Sequence, residues 1–363
     1  MKIVTVVGAR PQFVKAATVS RQLSRVGITE VLVHTGQHFD GNMSQVFFDE
    51  LEIPMPKYNL NIHGLTHGAM TGRMLEAVEG VLIAERPNLV LVYGDTNSTL
   101  AGALAAQKLH LPVAHVEAGL RSFNMLMPEE VNRILTDRIS SILFCPTSKA
   151  VNNLMAEGYS NIRVKIENTG DVMYDASLYY GKLSEYRSNI LRALEPSQGF
   201  ALCTIHRQEN TDSQSRIEEI VEGLNRIHAQ VQVVAPLHPR TQKVLNSMGV
   251  RPKFTTIDPV GYFDMIELLK HCSMVITDSG GLQKEAYFFG KGCITLRAQT
   301  EWVELVEGGY NLLAPGGAQD IYSSWLHMGG TAPPFNTQLY GDGKASERIV
   351  TLLSDFIEQF EKA

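Results

Sequence analysis

Short apolar runs rich in Val and Ile alternate with longer amphipathic segments along the first half of the chain. KIVTVVG (2–8), VLVHTG (31–36), LVLVYG (89–94), VAHVEA (113–118) and ILFCP (142–146) read as strands. Between them FVKAATVSRQLSRV and NSTLAGALAAQKL carry a helical period. Strands that are apolar throughout, alternating with helices, predict a parallel sheet covered on both faces. The pattern restarts after about residue 168 with FALCTIH (200–206), VQVVAPLH (231–238), KFTTID (253–258), MVITDSG (274–280) and CITLR (293–297). The expected fold class is α/β: two doubly wound, Rossmann-like domains, 1–168 and 169–345, with a central cleft. TGDVMYD (169–175) is the expected hinge, and the helical segment 346–363 is expected to pack back on the first domain. Only the architecture repeats; no sequence repeat is evident.

Composition narrows the class. The 363 residues are 44% hydrophobic and 19% charged, which suits a globular protein of two domains. A formal charge of −6 argues against a general nucleic-acid binder, yet leaves room for a local basic cluster that holds an anionic substrate. Cys145, Cys203, Cys272 and Cys293 show no ligand-like spacing and read as reduced, buried thiols of a cytoplasmic protein. MKIVTVVGARP enters a strand at once and lacks a signal-peptide core, and no apolar run approaches the ~18 residues of a membrane span. Neither a membrane nor a nucleic acid is an expected partner, and no histidine spacing implies a metal.

In doubly wound sheets ligands bind at the carboxyl ends of the strands, so the residues there carry the candidate chemistry. In TDSGGLQKEA (277–286) a strand runs into Ser279, Gly280 and Gly281 and then a helix, with Glu285 a turn further on. Exposed N–H groups at such a helix start make an anion site; a plain N-cap with a flexible turn is the competing reading. Arg10 and Lys15, in GARPQFVK at the end of the first strand, are expected to meet a diphosphate held by the second domain. The absence of GxGxxG and of GxxxxGK[ST] argues against a dinucleotide cofactor and a P-loop. Asp95 follows LVLVYG, Glu117 follows VAHV, and Glu129 and Glu130 follow a loop that runs through Arg121, itself an expected substrate contact. Acids at partly desolvated strand ends favour proton transfer near neutral pH; a helix cap or ion pair is the alternative for each, Asp95-Thr96 above all. His206 and Arg207 end the first strand of the second domain, and His238, in PLHPR, is a weaker phosphate candidate.

GARPQFVK, VYGDTNST, VEAGLRS…MPEEVNR, TIHRQEN and TDSGGLQKEA stand in the order and spacing of the non-hydrolysing UDP-N-acetylglucosamine 2-epimerases, from residue 1 to YGDGKASERI (340–349). This resemblance implies the glycosyltransferase-B-like fold shared with many nucleotide-sugar glycosyltransferases. It also implies loss of the C2 proton with departure of UDP, then re-addition from a 2-acetamidoglucal. Asp95, Glu117 and Glu129 match the family's functional carboxylates, and His206 its histidine near the diphosphate. Arg10, Ser279 and Gly280 match its UDP contacts, with Glu285 suited to the ribose. No cofactor is expected, and the partners are a UDP-sugar and a second copy of the chain in a homodimer.

The sequence also departs from the family. Gln12 replaces an acid, Gln208 stands in the HisArgGlnGlu motif, Lys284 stands in QKEA, and Trp302-Val303 replaces Arg-Pro. The stretch Phe39-Asp40-Gly41-Asn42 is altered, and the loop before Pro128 is shorter. These variants resemble the branch that epimerises UDP-2,3-diacetamido-2,3-dideoxyglucuronate for surface polysaccharide, and they leave the family's regulatory sugar site unmatched. A glycosyltransferase of the same architecture and a hydrolysing epimerase are the competing activities.

Overall fold

The computed structural model of the chain describes residues 1–37, 54–331, 333–335 and 338–362, apart from the side chains of Arg10, Thr331 and residues 360–362. The altered stretch after His38 lies outside the described residues. The chain folds as two compact units, Met1–Leu178 with Gln338–Ala363, and Tyr179–Thr337.

Unit 1 holds β1 (Lys2–Val7), β2 (Thr29–His34), β3 (Tyr58–Asn59), β4 (Leu89–Tyr93), β5 (Val113–Val116), β6 (Ile142–Cys145) and β7 (Lys165–Asn168). They form one sheet in the order β3-β2-β1-β4-β5-β6-β7, and every pairing is parallel. The central strands are apolar on both faces because helices cover both; all five positions of β4 are buried. Val4, Val6, Val90 and Val92 meet Val78, Leu82 and Ala103 in the core on one face. The edge strands β3 and β7 escape a reading based on apolar runs, since YN and KIEN are short and only half-buried.

Unit 2 repeats the plan with β8 (Ala201–Thr204), β9 (Val233–Pro236), β10 (Thr255–Ile257), β11 (Met274–Thr277), β12 (Gly292–Thr295) and β13 (Asn311–Leu313), in the order β10-β9-β8-β11-β12-β13. These strands also pair in parallel. Strand order reverses between β1 and β4 in unit 1 and between β8 and β11 in unit 2. At such a reversal the flanking loops diverge to opposite faces and leave a crevice at the carboxyl ends.

The units divide within the helix Val172–Arg187, later than the boundary expected at 168/169, and residues 338–345 belong with unit 1. Hydrogen bonding accounts for the difference. The buried Asp175 carboxylate accepts from Ala345 N (3.1 Å), Ser346 N (2.7 Å) and Ser346 Oγ (2.6 Å), and so caps the terminal helix Ala345–Lys362. Asp171 N donates to Tyr340 O (3.0 Å) and Arg348 Nη1 to Thr169 O (3.3 Å). Gly170, at φ +85°, passes so close to the returning chain that a Cβ there would sit 2.9 Å from Tyr340 O. The terminal helix buries Ile349, Val350, Leu353 and Ile357 and packs along the helix Arg10–Arg25 of unit 1.

Asp175→Ala leaves three buried donors without an acceptor. It is expected to destabilise unit 1 by about 2 kcal/mol. In urea unfolding followed by tryptophan-independent circular dichroism, the first transition should move to lower denaturant; an unchanged midpoint refutes the capping role.

Candidate active site

At the switch point of unit 2, Ser279 is the N-cap of the helix Gly280–Phe288: its Oγ accepts from Leu282 N at 3.4 Å, and its own N–H donates to Thr277 Oγ1 at 2.9 Å. Neither Gly280 nor Gly281 has a positive φ, so turn geometry does not require them. Space does at Gly280, where a Cβ would lie 2.3 Å from Glu301 Oε1. Gly281 is exposed, and a Cβ there would meet no protein atom within 4 Å. The first turn therefore presents bare N–H groups to the outside, the arrangement that binds anions.

Cations surround this turn. Arg207 Nη2 lies 3.8 Å from the Cβ position of Gly280. Arg297, buried at the end of β12, donates from Nη1 to Glu301 Oε2 at 3.1 Å. Trp302 Nε1 donates to Gly280 O at 2.9 Å, and Lys284 Nζ stands 4.0 Å from the Trp302 ring centroid. Trp302 is buried beneath the turn, so this departure from the family rebuilds the support of the helix start. Arg297 was missed as a candidate, although it closes the strand-like run CITLR and could have been found by its place at a carboxyl end. Glu285 sits buried one turn into the same helix.

Asp278, with no solvent exposure, organises the neighbouring loop. It accepts from His206 N (3.1 and 3.0 Å), Arg207 N (3.0 Å) and Asn210 Nδ2 (3.0 Å), and it pairs with His206 Nδ1 at 3.1 Å. Burial pushes its carboxyl up, but His206 and the other donors outweigh burial and hold it below the usual range. His206 is thereby clamped through Nδ1, while 48% of its side chain faces solvent with Nε2 open. His238 is the N-cap of the helix Pro239–Ser247, with Nδ1 accepting from Arg240 N at 3.2 Å.

At the switch point of unit 1 the acids gather. Asp95 bonds Arg133 Nη2 at 2.6 Å and keeps 33% of its side chain exposed. Surrounding protein raises its pKa, Arg133 and Lys15 oppose this, and the charges of Glu117 and Glu129 add to the rise. The helix cap expected of Asp95 is made by Thr96, whose Oγ1 accepts from Thr99 N at 3.2 Å. Glu117 pairs with the buried Lys15 and holds a left-handed backbone, φ +70°, rare for a residue with a Cβ. Glu129 stands exposed in the first turn of the helix Pro128–Ile139. Its neighbour Glu130 is buried and spent on structure, accepting from Ser122 N (2.9 Å), Phe123 N (2.8 Å) and Arg133 Nη1 (2.7 Å).

Two unit 1 candidates need separate comment. Arg121, expected to touch substrate, is instead a buried strut: its guanidinium binds Asp137 Oδ2 (2.7 Å), Glu157 (2.7 and 2.8 Å) and Leu120 O (2.7 Å). Only 2% of it is exposed, because the guanidinium neutralises the buried Asp137 from one side and the partly exposed Glu157 from the other. Arg10 opens its helix, and its side chain lies outside the described residues. Gln12, in the place of the family's acid, is fully satisfied: Oε1 accepts from Gly8 N (2.8 Å) and Ala9 N (2.9 Å), and Nε2 donates to Tyr93 O (2.7 Å). Among the described residues no cluster of three or more His, Cys, Asp or Glu is placed to hold a metal, and no helix is long and apolar enough to cross a membrane.

Residues 21–354 match the family model of UDP-N-acetylglucosamine 2-epimerase. A Pseudomonas aeruginosa protein named UDP-2,3-diacetamido-2,3-dideoxy-D-glucuronate 2-epimerase is 55% identical, over 98% of this chain and 99% of its own. The UDP-N-acetylglucosamine 2-epimerase of Methanocaldococcus jannaschii, solved in complex with UDP-GlcNAc and UDP, superposes with a TM-score of 0.88 at 42% identity, over 98% of this chain and 99% of that one. The Neisseria meningitidis enzyme bound to UDP-GlcNAc gives a TM-score of 0.87 at 31% identity, over 98% and 100% of the two chains. With the family model matched from residue 21 to 354 and relatives aligned over 98% of its length, the chain belongs to the UDP-N-acetylglucosamine 2-epimerase family and is a UDP-sugar epimerase, an isomerase.

Proposed function

We propose that the chain inverts C2 of a UDP-2-acetamido sugar by eliminating and re-adding UDP, and that its preferred substrate is UDP-2,3-diacetamido-2,3-dideoxyglucuronate. The observation that carries this reading is the division of chemistry: Asp95, Glu117 and Glu129 gather at the switch point of unit 1, and at that of unit 2 a helix start is flanked by Arg207 and by Arg297, the latter paired with Glu301. A base removes the C2 proton, its electron pair forms the C1=C2 bond, and the C1–O bond breaks with its pair going to UDP. UDP oxygen then re-adds to C1 as C2 takes a proton on the opposite face. Atoms and electrons balance without an oxidant, so no cofactor is required.

Asp95, Glu117 and Glu129 are assigned to the proton at C2. The raised pKa of Asp95 supports this, because a carboxyl nearer neutrality both gives and takes a proton readily. Ser279, Gly280 and Gly281 are assigned to the diphosphate, with Arg207 and Arg297 as neutralising cations. His206 is assigned to the departing phosphate oxygen, Glu285 to the ribose hydroxyls, and Arg10 and His238 to the nucleotide. The sugar preference rests on the higher identity to the Pseudomonas aeruginosa relative, 55%, than to the Methanocaldococcus jannaschii enzyme, 42%. A cytoplasmic homodimer that supplies a surface-polysaccharide precursor completes the reading.

A glycosyltransferase on this fold would need an acceptor, and three acids serve proton abstraction better than they serve transfer. Incubation with the UDP-sugar alone in D2O distinguishes them: deuterium at C2 in recovered UDP-sugar is expected, and its absence refutes epimerisation.

Three outcomes are expected beyond this. A Cβ at Gly281 meets no atom from outside its own turn within 4 Å, so for Gly281→Val calorimetry should show weaker UDP binding with a melting temperature close to wild type; undiminished binding removes this turn from the site. Asp95→Asn, Glu117→Gln and Glu129→Gln should each lower kcat by ~10²–10⁴-fold with UDP binding retained. Losses of only a few fold at all three would return them to a structural role. In a competition between the two sugars at equal concentration, the diacetamido glucuronate should turn over faster; equal or better use of UDP-N-acetylglucosamine removes the preference and leaves the epimerase.

A further inference from the structure

His115 stands in β5 with no solvent exposure, outside the set of residues assigned above. Its Nδ1 lies 2.7 Å from Asp137 Oδ1, and its Nε2 lies 2.7 Å from the carbonyl oxygen of Gly94. A neutral imidazole carries a single N–H. One of the two contacts would then set a ring lone pair against an oxygen lone pair at hydrogen-bond distance. Neither oxygen can supply the missing proton. Gly94 O is a carbonyl, and Asp137 already accepts at Oδ2 from the Arg121 guanidinium (2.7 Å) and Gly119 N (3.1 Å), partners that favour a carboxylate.

Charge balance points the same way. The network joins Asp137 to Arg121 through Nη1 (2.7 Å) and Arg121 to Glu157 through Nε (2.7 Å). With a neutral His115 the four groups sum to one negative charge, and with an imidazolium to zero; Asp137 and Arg121 are buried, while Glu157 keeps 32% of its side chain exposed and is partly screened by water. Asp137 Oδ2 also accepts from Gly119 N at 3.1 Å, so the same carboxylate braces the turn that follows Glu117.

Gly94 is held from its other side by its N–H on Val116 O (2.9 Å). Its φ is +63°, and a Cβ there would sit 3.2 Å from Glu117 Oε2 and 3.4 Å from Lys15 Nζ. Among the described residues, His115 Nε2 meets the carbonyl of the peptide that leads into Asp95, and Asn132 Nδ2 donates to the next carbonyl, Asp95 O, at 2.9 Å.

We propose that His115 is a positioning residue: a buried imidazolium that donates from both ring nitrogens, to Asp137 and to the Gly94 carbonyl, and so fixes the backbone from which Asp95 projects. This rests on the assignment of Asp95 to proton transfer. Two measurements test it. In neutron diffraction of the wild-type enzyme, or 15N-histidine NMR with the signal identified by its loss in His115→Gln, both ring nitrogens are expected to carry a proton at neutral pH. A ring with one bare nitrogen overturns the proposal. His115→Gln keeps one donor and loses the other; kcat is expected to fall about 10²-fold, as for a small misplacement of a reacting group, with UDP affinity within about twofold of wild type. A lower melting temperature with kcat per folded molecule unchanged reduces His115 to a purely structural role and also overturns it. Asp95→Asn run alongside keeps the two readings apart: an active Asp95→Asn removes the proton-transfer assignment, whereas an inactive Asp95→Asn beside a fully active His115→Gln removes only the positioning role. If His115→Gln does not fold, the protonation of the wild-type ring decides.

Discussion

A strand buried on both faces leaves its polar groups mainly to its ends, because one inside it, such as His115, needs a buried partner, and this constraint shapes both units. β4 and β11 are buried at every position, so each carries its chemistry in the residues that follow: Gly94-Asp95 in unit 1 and Asp278-Ser279 in unit 2. Strand order reverses beside each of them, where the connecting loops part. The candidate acidic and anion-facing groups thus concentrate at the strand ends, where a polar side chain does not need a buried partner.

Those short loops need rigid holding, and both units hold them with a buried carboxylate that receives several donors. Asp278 gathers the backbone of His206 and Arg207, and Glu130 gathers Ser122 and Phe123. Asp137 does the same for Gly119 while binding His115 and Arg121. A buried carboxylate is costly alone and stable only when its lone pairs are filled. The loops therefore cannot move without breaking several charge-assisted bonds at once, which suits residues that must stay in place while a proton and a leaving group move.

The two glycines after Ser279 illustrate how the same residue type answers two different needs. At Gly280 the pressure comes from inside the protein, from Glu301 and the Trp302 indole that bonds its carbonyl. At Gly281 no protein atom is near, and the open space itself is what a larger side chain would remove. Adjacent acids divide similarly. Glu129 faces out from a helix start, and Glu130, one residue on, turns inward to become a clamp.

Much of this was legible in the chain. Valine- and isoleucine-rich runs of strand length, each followed by a turn and a helical period, determine two parallel sheets, because only such sheets bury both faces of a strand. The same runs point to Asp95, Glu117, His206 and Ser279, since each stands within two residues of a strand's carboxyl end. The short, half-polar edge strands were not legible, for an edge needs no apolar face and leaves no periodic mark. Nor were the partners of the charged side chains. Arg121 sits in a loop of functional residues and reads as one of them, yet Asp137 and Glu157, 16 and 36 positions away, claim its guanidinium. His115 is one polar residue inside VAHV, with nothing beside it in sequence to suggest that both its nitrogens meet acceptors. Local pattern determined where polar groups must emerge, because burial along a strand depends on nearest neighbours. Which of them pair and which remain open was decided only by tertiary structure, because a charge is satisfied by whatever the fold brings within hydrogen-bond distance.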